Sequence, residues 1–341
     1  PEGVEEIDPK AMGIVCPYLS VSIPSTLKTL DQDTFTTAVK LAEIINKSKF
    51  NIGTQVSGEY RSFAVSVHSG DESKIKTVNG FKFITGDDGI NYLIDSGSGR
   101  EVVLPEDYNG ENYRVTIGAF FCNASITSLV VSDGVTAFGG VTGCSGLKNI
   151  SIGKNVVSLD MSAFMMCDSI ESIVISGENP AFSSPDGKNI YSKDGKTLLF
   201  VLENGESFTV ADGVEKIDDF AFSGKTSLKT IYLPAGLTEL GGYSFNSCTG
   251  LSEIWFNGTE DEWNDVVGKE SLLNANPSLR LFVDGKPHDI HVHAFNRMVT
   301  TAEMMADDAT CEHGRLFYYS CECGERGTET FEYGDPVDHN Y

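Results

Sequence analysis

Cys311, Cys321 and Cys323, near the C-terminus, are by residue type the best equipped for chemistry. Five of the six histidines, His288, His291, His293, His313 and His339, fall in the same stretch. Thiolate and imidazole are the ligands that zinc prefers, so Cys311, Cys321, Cys323 and His339 could supply a tetrahedral zinc site. The spacing argues the other way, because Cys321-x-Cys323 lacks the usual gap of two to four residues. A disulfide from Cys311 to Cys321 or Cys323 in an oxidising compartment and three free thiols are the competing readings. Spacing leaves all three open, and no cofactor is expected elsewhere in the chain.

The remaining cysteines, Cys16, Cys122, Cys144, Cys167 and Cys248, belong to a repeating pattern. Cys144 and Cys167 stand 23 residues apart at one repeat position. Stacked parallel strands would set their Cα atoms ~5 Å apart, inside the disulfide window. Packed free thiols are the favoured reading, because free cysteine serves well as a small buried hydrophobe. Asp87-Asp88-Gly89 and Asp194-Gly195 read as hairpin turns rather than calcium loops. No GxSxG elbow, HExxH motif, Walker loop or GxGxxG turn ahead of a helix occurs, so no enzyme activity is expected.

The elements that position these residues are repeats. VTAFGGVTGCSGLKNISIGKN is followed by VVSLDMSAFMMCDSIESIVIS, where Val141, Cys144, Leu147, Ile150 and Ile152 recur 23 residues later as Phe164, Cys167, Ile170, Ile173 and Ile175. Phe222, Leu228, Ile231 and Leu233 recur as Phe245, Leu251, Ile254 and Phe256, and near the N-terminus Leu27, Leu30, Phe35, Leu41 and Ile44 follow a similar set. A period of 20–29 residues with apolar residues at fixed offsets marks a leucine-rich solenoid. The fold expected is a right-handed β/α superhelix. It has a curved parallel β-sheet of ten or eleven short strands, about 50 Å long at ~4.8 Å per strand, and a short irregular or helical outer side. Longer coils near 50–104 and 176–210 carry β-hairpins, the second of them around Lys193-Asp194-Gly195-Lys196. Thr259-x-x-Glu262 reads as a capping box opening a helix that covers the last coil. The solenoid is thus expected over 1–283, with its cap at 257–283 and a small Cys/His module at 284–341.

Alternation within each strand sends Ile150 and Ile152 inward and Asn149 and Ser151 outward. One outward column runs Ser22, Ile45, Val130, Ser151, Val174, Tyr232 and Trp255. Its neighbour runs Ser20, Glu43, Ser128, Asn149, Ser172, Thr230 and Glu253. Tyr232 and Trp255 are expected to be exposed neighbours. Aromatics flanked by polar residues make binding anchors, so Tyr232, Trp255, Glu253, Thr230 and Val174 are the candidate ligand-binding residues.

The grammar of DGVEKIDDFAFSGKTSLKTIYLP, the NPAFSSPDGKNIYSKDGKTLLF insert and FNGTEDEW resembles the BspA-type leucine-rich repeat proteins of oral and gut bacteria. The resemblance covers roughly residues 1–283. It implies a secreted or cell-surface protein without enzyme activity, acting in adhesion or host-protein binding.

Net charge is −24, from 25 Lys+Arg and 49 Asp+Glu. Such a surface repels phosphate backbones and anionic lipid, which argues against nucleic acid and membrane partners. No apolar run approaches the ~20 residues that span a bilayer, so no membrane insertion is expected. The opening PEGVEEID has neither a basic n-region nor an apolar h-region and reads as a mature or trimmed start. The expectation is an extracellular binding module for a protein or glycan. A structural spacer of a larger surface protein and a carbohydrate-binding module are the alternatives.

Overall fold

A computed structural model of the chain describes residues 2–8, 11–13, 18–54, 59–160, 162–269, Leu272, 279–288, 297–310, 313–320 and 326–335. The chain divides into two compact units, Pro1–His288 and Asp289–Tyr341.

The first unit is a β-solenoid built of coils with little helix, as the repeat predicts. Among the described residues, eleven short strands form its principal parallel ladder. They are β1 (Ser20–Ile23), β2 (Glu43–Asn46), β3 (Ser66–His68), β4 (Glu101–Val103), β5 (Ser128–Val131), β6 (Asn149–Ile152), β7 (Ser172–Ile175), β8 (Ser207–Thr209), β9 (Thr230–Leu233), β10 (Glu253–Phe256) and β11 (Arg280–Val283). The strands are short because each coil leaves the sheet after one inward pair. The sequence period sets the register: Ile150 pairs with Ile173, and Ile231 with Ile254. The inward side chains Leu129, Ile150, Ile173, Ile231 and Ile254 are buried. Full burial of a side chain of this size is worth about 1.5–3 kcal/mol. No coil can bury its own apolar face, so stability comes from stacking.

The ladder is not one continuous sheet. It falls into blocks β1–β3, β4–β7 and β8–β11. Both interruptions fall at the long coils. In the first, strands at Lys76–Val78, Phe81–Thr85 and Asn91–Asp95 form an antiparallel meander. In the second, Asn189–Ser192 and Thr197–Val201 form the hairpin around Asp194-Gly195, with Gly195 at φ +74°. The last strand of each insert joins a second parallel ladder: Tyr92 pairs with Arg114, and Thr197 with Lys216. The hairpins therefore grow from the second wall of the solenoid and interrupt the hydrogen bonding of the first. A single core cluster still runs from Phe83 to Leu202, including Leu93 and Ile190 of the inserts. Asn179, fully buried, fastens the second insert. Its amide donates to the Gly153 and Val156 carbonyls, and its oxygen accepts from the Ala181 and Phe182 N–H groups.

The helix α1 (Glu260–Asp265) has both arms of the anticipated capping box. Thr259 Oγ1 accepts from the Glu262 N–H, and Glu262 Oε2 accepts from the Thr259 N–H at 2.7 Å. Trp263 is buried beside Phe256, with ring centroids 5.2 Å apart. Among the described residues no helix is long and apolar enough to cross a membrane.

The described part of the second unit is a small antiparallel sheet. Its central hairpin joins Arg315–Ser320 to Arg326–Tyr333, with Phe317 and Phe331 buried between them.

Candidate functional site

The outward face of block β8–β11 carries the aromatic candidates. Tyr232, Trp255 and Phe282 are register partners on β9, β10 and β11. Side chains stand roughly perpendicular to a sheet, so partners one strand apart meet ring to ring. Trp255 and Phe282 stack at 4.0 Å with 8° between their planes, and Tyr232 follows at 6.3 Å and 29°. The adjacent outward column holds Thr230, Glu253 and Arg280 in register. Glu253 binds the Arg280 guanidinium through one oxygen and accepts from Trp255 Nε1 through the other at 3.2 Å. Arg280 in turn stands 5.9 Å from the Phe282 ring centroid. Glu253 thus bridges the indole N–H and the guanidinium. Tyr232 is 37% exposed, while Trp255, Phe282 and Thr230 are half-buried.

The structure brings four of the five candidate residues together: Tyr232, Trp255, Glu253 and Thr230. Val174 stands elsewhere. It is 59% exposed on β7, in the middle block, where its column is Val103, Val130 and Ser151. Two members of the cluster escape a search at the 23-residue period. Phe282 and Arg280 follow Trp255 and Glu253 by 27 residues, because α1 lies in that coil. The legible signal is the RLFV alternation, which repeats the inward pattern of EIWF.

The outward columns of the N-terminal block are largely covered, although Ser22 is exposed. Glu43 has its side chain fully buried. The segment after β3 folds back over it, and the Lys74 N–H reaches Glu43 Oε1 at 2.6 Å. Ser20 Oγ donates to Oε2 at 2.6 Å, and His68 Nε2 lies 3.1 Å from Oε1. Burial pushes the Glu43 carboxyl up, but hydrogen bonds from Ser20, Ser73, Lys74 and His68 outweigh it and leave the group below its ordinary value. Ile45 is buried too. The alternation correctly gave their direction, but not the strap that covers Glu43. This Ser–Glu–His cluster is not wired for nucleophilic catalysis. The serine bonds to the carboxylate rather than the imidazole, and His68 Nδ1 accepts from the Gly70 N–H at 3.1 Å. A catalytic serine needs a base on its own hydroxyl.

The repeat cysteines are packed thiols. Cys144, Cys167 and Cys248 are buried and unbonded to one another. Each donates Sγ–H to a carbonyl of the preceding coil: Phe120 at 3.1 Å, Val141 at 2.9 Å and Phe222 at 3.0 Å. Burial pushes Cys144 up to about 12, and Cys167 and Cys248 to about 11. A thiol so far from ionising is a poor nucleophile and a poor metal ligand at neutral pH. Cys16, Cys311, Cys321, Cys323 and His339 lie outside the described residues. Among those described, no three His, Cys, Asp or Glu residues are grouped to hold a metal.

The family model for the BspA type leucine rich repeat region matches in six copies over residues 115–184 and 198–305, just over half of the chain. A search of curated proteins found no match. Among solved structures, a leucine rich cell surface protein from Faecalibacterium prausnitzii is 17% identical with a TM-score of 0.30, covering 73% of this chain and 51% of its own. A leucine-rich repeat protein from Eubacterium ventriosum is 18% identical with a TM-score of 0.30, covering 53% and 71%. The leucine rich repeat protein of T. pallidum is 17% identical with a TM-score of 0.33, covering 62% and 81%. The chain spans about half the length of the first of these. At these TM-scores the neighbours carry no argument about the site. The six-copy repeat match does decide the family, and it agrees with the register and coil geometry above: this chain belongs to the BspA-type leucine-rich repeat proteins.

Proposed function

We propose that the chain is a non-enzymatic binding module at a bacterial surface, docking a protein partner outside the cell on the sheet face of β8–β11. The observation that carries this reading is the Tyr232–Trp255–Phe282 stack, braced by Glu253 and Arg280. It is an ordered, half-exposed aromatic cluster, the type of anchor that dominates protein interfaces. Thr230 completes the footprint, and a partner long enough to span the second interruption would also meet Val174. Solenoids suit this use because a rigid stack offers an extended surface to one large partner.

The stacking geometry favours protein over glycan. Sugars pack against free aromatic faces, and here Trp255 lies between Tyr232 and Phe282 and also covers one face of Phe282. Ring edges and the outer faces of the two end rings, Tyr232 and Phe282, are what remain. The acidic surface, at −24 overall, favours a partner with a basic face and speeds its encounter.

The test is capture from host and community extracts by the parent and by the Tyr232→Ala/Trp255→Ala double variant. The variant should melt within a few degrees of the parent and lose at least tenfold in affinity for the retained protein, as removing a hot spot of about 2 kcal/mol would. Undiminished capture sinks the placement. Absence of binding to any matrix protein, mucin or glycan would favour the spacer reading instead.

A further inference from the structure

The coil corner that holds Cys144, Cys167 and Cys248 is filled by Ala38, Asn123 and Lys225 in other coils, and of these Lys225 alone carries a charge. FSGKTSL aligns with VTGCSGL, FMMCDSI and FNSCTGL, so Lys225 stands where the others have cysteine. The backbone agrees: the Lys225 N–H reaches Phe222 O as the Cys144 N–H reaches Val141 O and the Cys248 N–H reaches Phe245 O. The other occupants of this corner are small and neutral, so a lysine there departs from the local pattern. Such breaks concentrate at functional sites.

Lys225 is also poorly served. Its Nζ donates to Leu202 O at 3.3 Å and Asn204 Oδ1 at 3.1 Å, both neutral acceptors. An ammonium carries three donors, so one remains. Asp168 and Glu203 act on it through space without forming an ion pair, and burial holds its pKa below the usual lysine value. Lys225 is half-buried, and a partly desolvated cation with no ion-pair partner is disfavoured.

The same side chain lines a cavity of about 290 Å³ at the second interruption of the ladder. Val201, Phe208 and Leu228 give this cavity apolar wall, and Asp168, Glu203 and Asn204 give it polar wall. Asn204 Nδ2 donates to Asp168 O at 2.8 Å, tying two coils across the gap. At the ~30 Å³ that one water occupies, this space holds a ligand of roughly ten non-hydrogen atoms.

We infer that this cavity binds a free α-amino acid with an apolar side chain. The ligand carboxylate accepts from Lys225 and supplies the missing counter-charge. The ligand ammonium faces Asp168, beside Glu203, which Lys188 already pairs at 3.6 Å, and the ligand side chain packs on Val201, Phe208 and Leu228. A simple anion would meet the two carboxylates, and a simple cation would leave Lys225 unpaired. Only a zwitterion answers both.

Calorimetric titration of the full chain with leucine and phenylalanine tests this, beside 4-methylpentanoate (no amine) and isoamylamine (no carboxylate). Leucine should bind about tenfold or more tighter than either analogue, as a lost charge-assisted bond predicts. Lys225→Cys restores the repeat residue. It should fold with a melting temperature at or above the parent's and lose at least tenfold in leucine affinity. Asp168→Asn should weaken leucine and leave 4-methylpentanoate unchanged or tighter. Silence towards both amino acids at millimolar concentration, equal binding of the carboxylate-only analogue, or undiminished leucine binding by Lys225→Cys would each overturn the assignment. None of these outcomes touches the aromatic face, so this site and the protein-docking face fail separately.

Discussion

At the scale of single residues, the repeat position shared by Cys144, Cys167 and Cys248 shows how a side chain is chosen. The site is small, apolar and next to a carbonyl that already accepts one backbone N–H, and a thiol fills it while donating a second, weak bond to that oxygen. Folding raises each thiol's pKa above its unfolded value near 8.5. The thiols therefore add stability that is complete below that pH. It drains away as pH climbs through it towards about 11 for Cys167 and Cys248 and about 12 for Cys144. The melting temperature should accordingly fall between pH 8.5 and 11. Iodoacetamide at pH 8 should modify the exposed Cys122 and spare the buried three, as peptide mapping will show. Labelling of any of the three as fast as Cys122 would contradict their packing.

At the scale of elements, the inserts decide what the sheet presents. Each interrupts the principal ladder once, leaving blocks of three, four and four strands. The first insert also sends a strap over the N-terminal block, fastened by Glu43 to Ser20, His68 and the Lys74 N–H. Removing that carboxylate leaves several buried donors without an acceptor, which costs roughly 1–3 kcal/mol. Glu43→Ala should lower stability by that amount and speed hydrogen exchange at residues 69–75, with β9 and β10 unaffected. Because the bonds hold the Glu43 pKa below its unfolded value, their contribution is present above that value and disappears as pH falls through the folded one. The parent and Glu43→Ala should thus converge in stability on acidification. A constant gap down to strongly acid pH would refute the carboxylate's role.

For the whole molecule, the coils form one quasi-linear stack whose neighbours supply nearly all stabilising contacts. Oppositely charged side chains one coil apart, such as Lys148–Glu171, Lys229–Glu206 and Lys216–Glu239, lace the surface, each exposed pair worth at most about 1 kcal/mol. Residues 289–341 form a separate compact unit, so a chain ending at His288 should retain the parent's far-UV circular dichroism per coil and its melting temperature within a few degrees. A large drop in melting would show that the second unit supports the solenoid. The solenoid, its period, both hairpins and the Thr259 cap were legible in the sequence. Each follows from local spacing of apolar residues, turn residues and a capping pair, which repeat often enough to reinforce one another. Tyr232, Trp255, Glu253 and Thr230 were legible for the same reason, since a fixed period places residues on one face. Phe282, Arg280, the burial of Glu43 and the pairing state of Lys225 were not, because insertions of unequal length set which distant segments meet. The sequence alone determined what each coil is; only the tertiary structure decided where the ladder breaks, which outward residues are covered and where a cavity opens. Coil identity rests on contacts one period apart, whereas the breaks and covers depend on how hairpins repack against a wall formed many residues away.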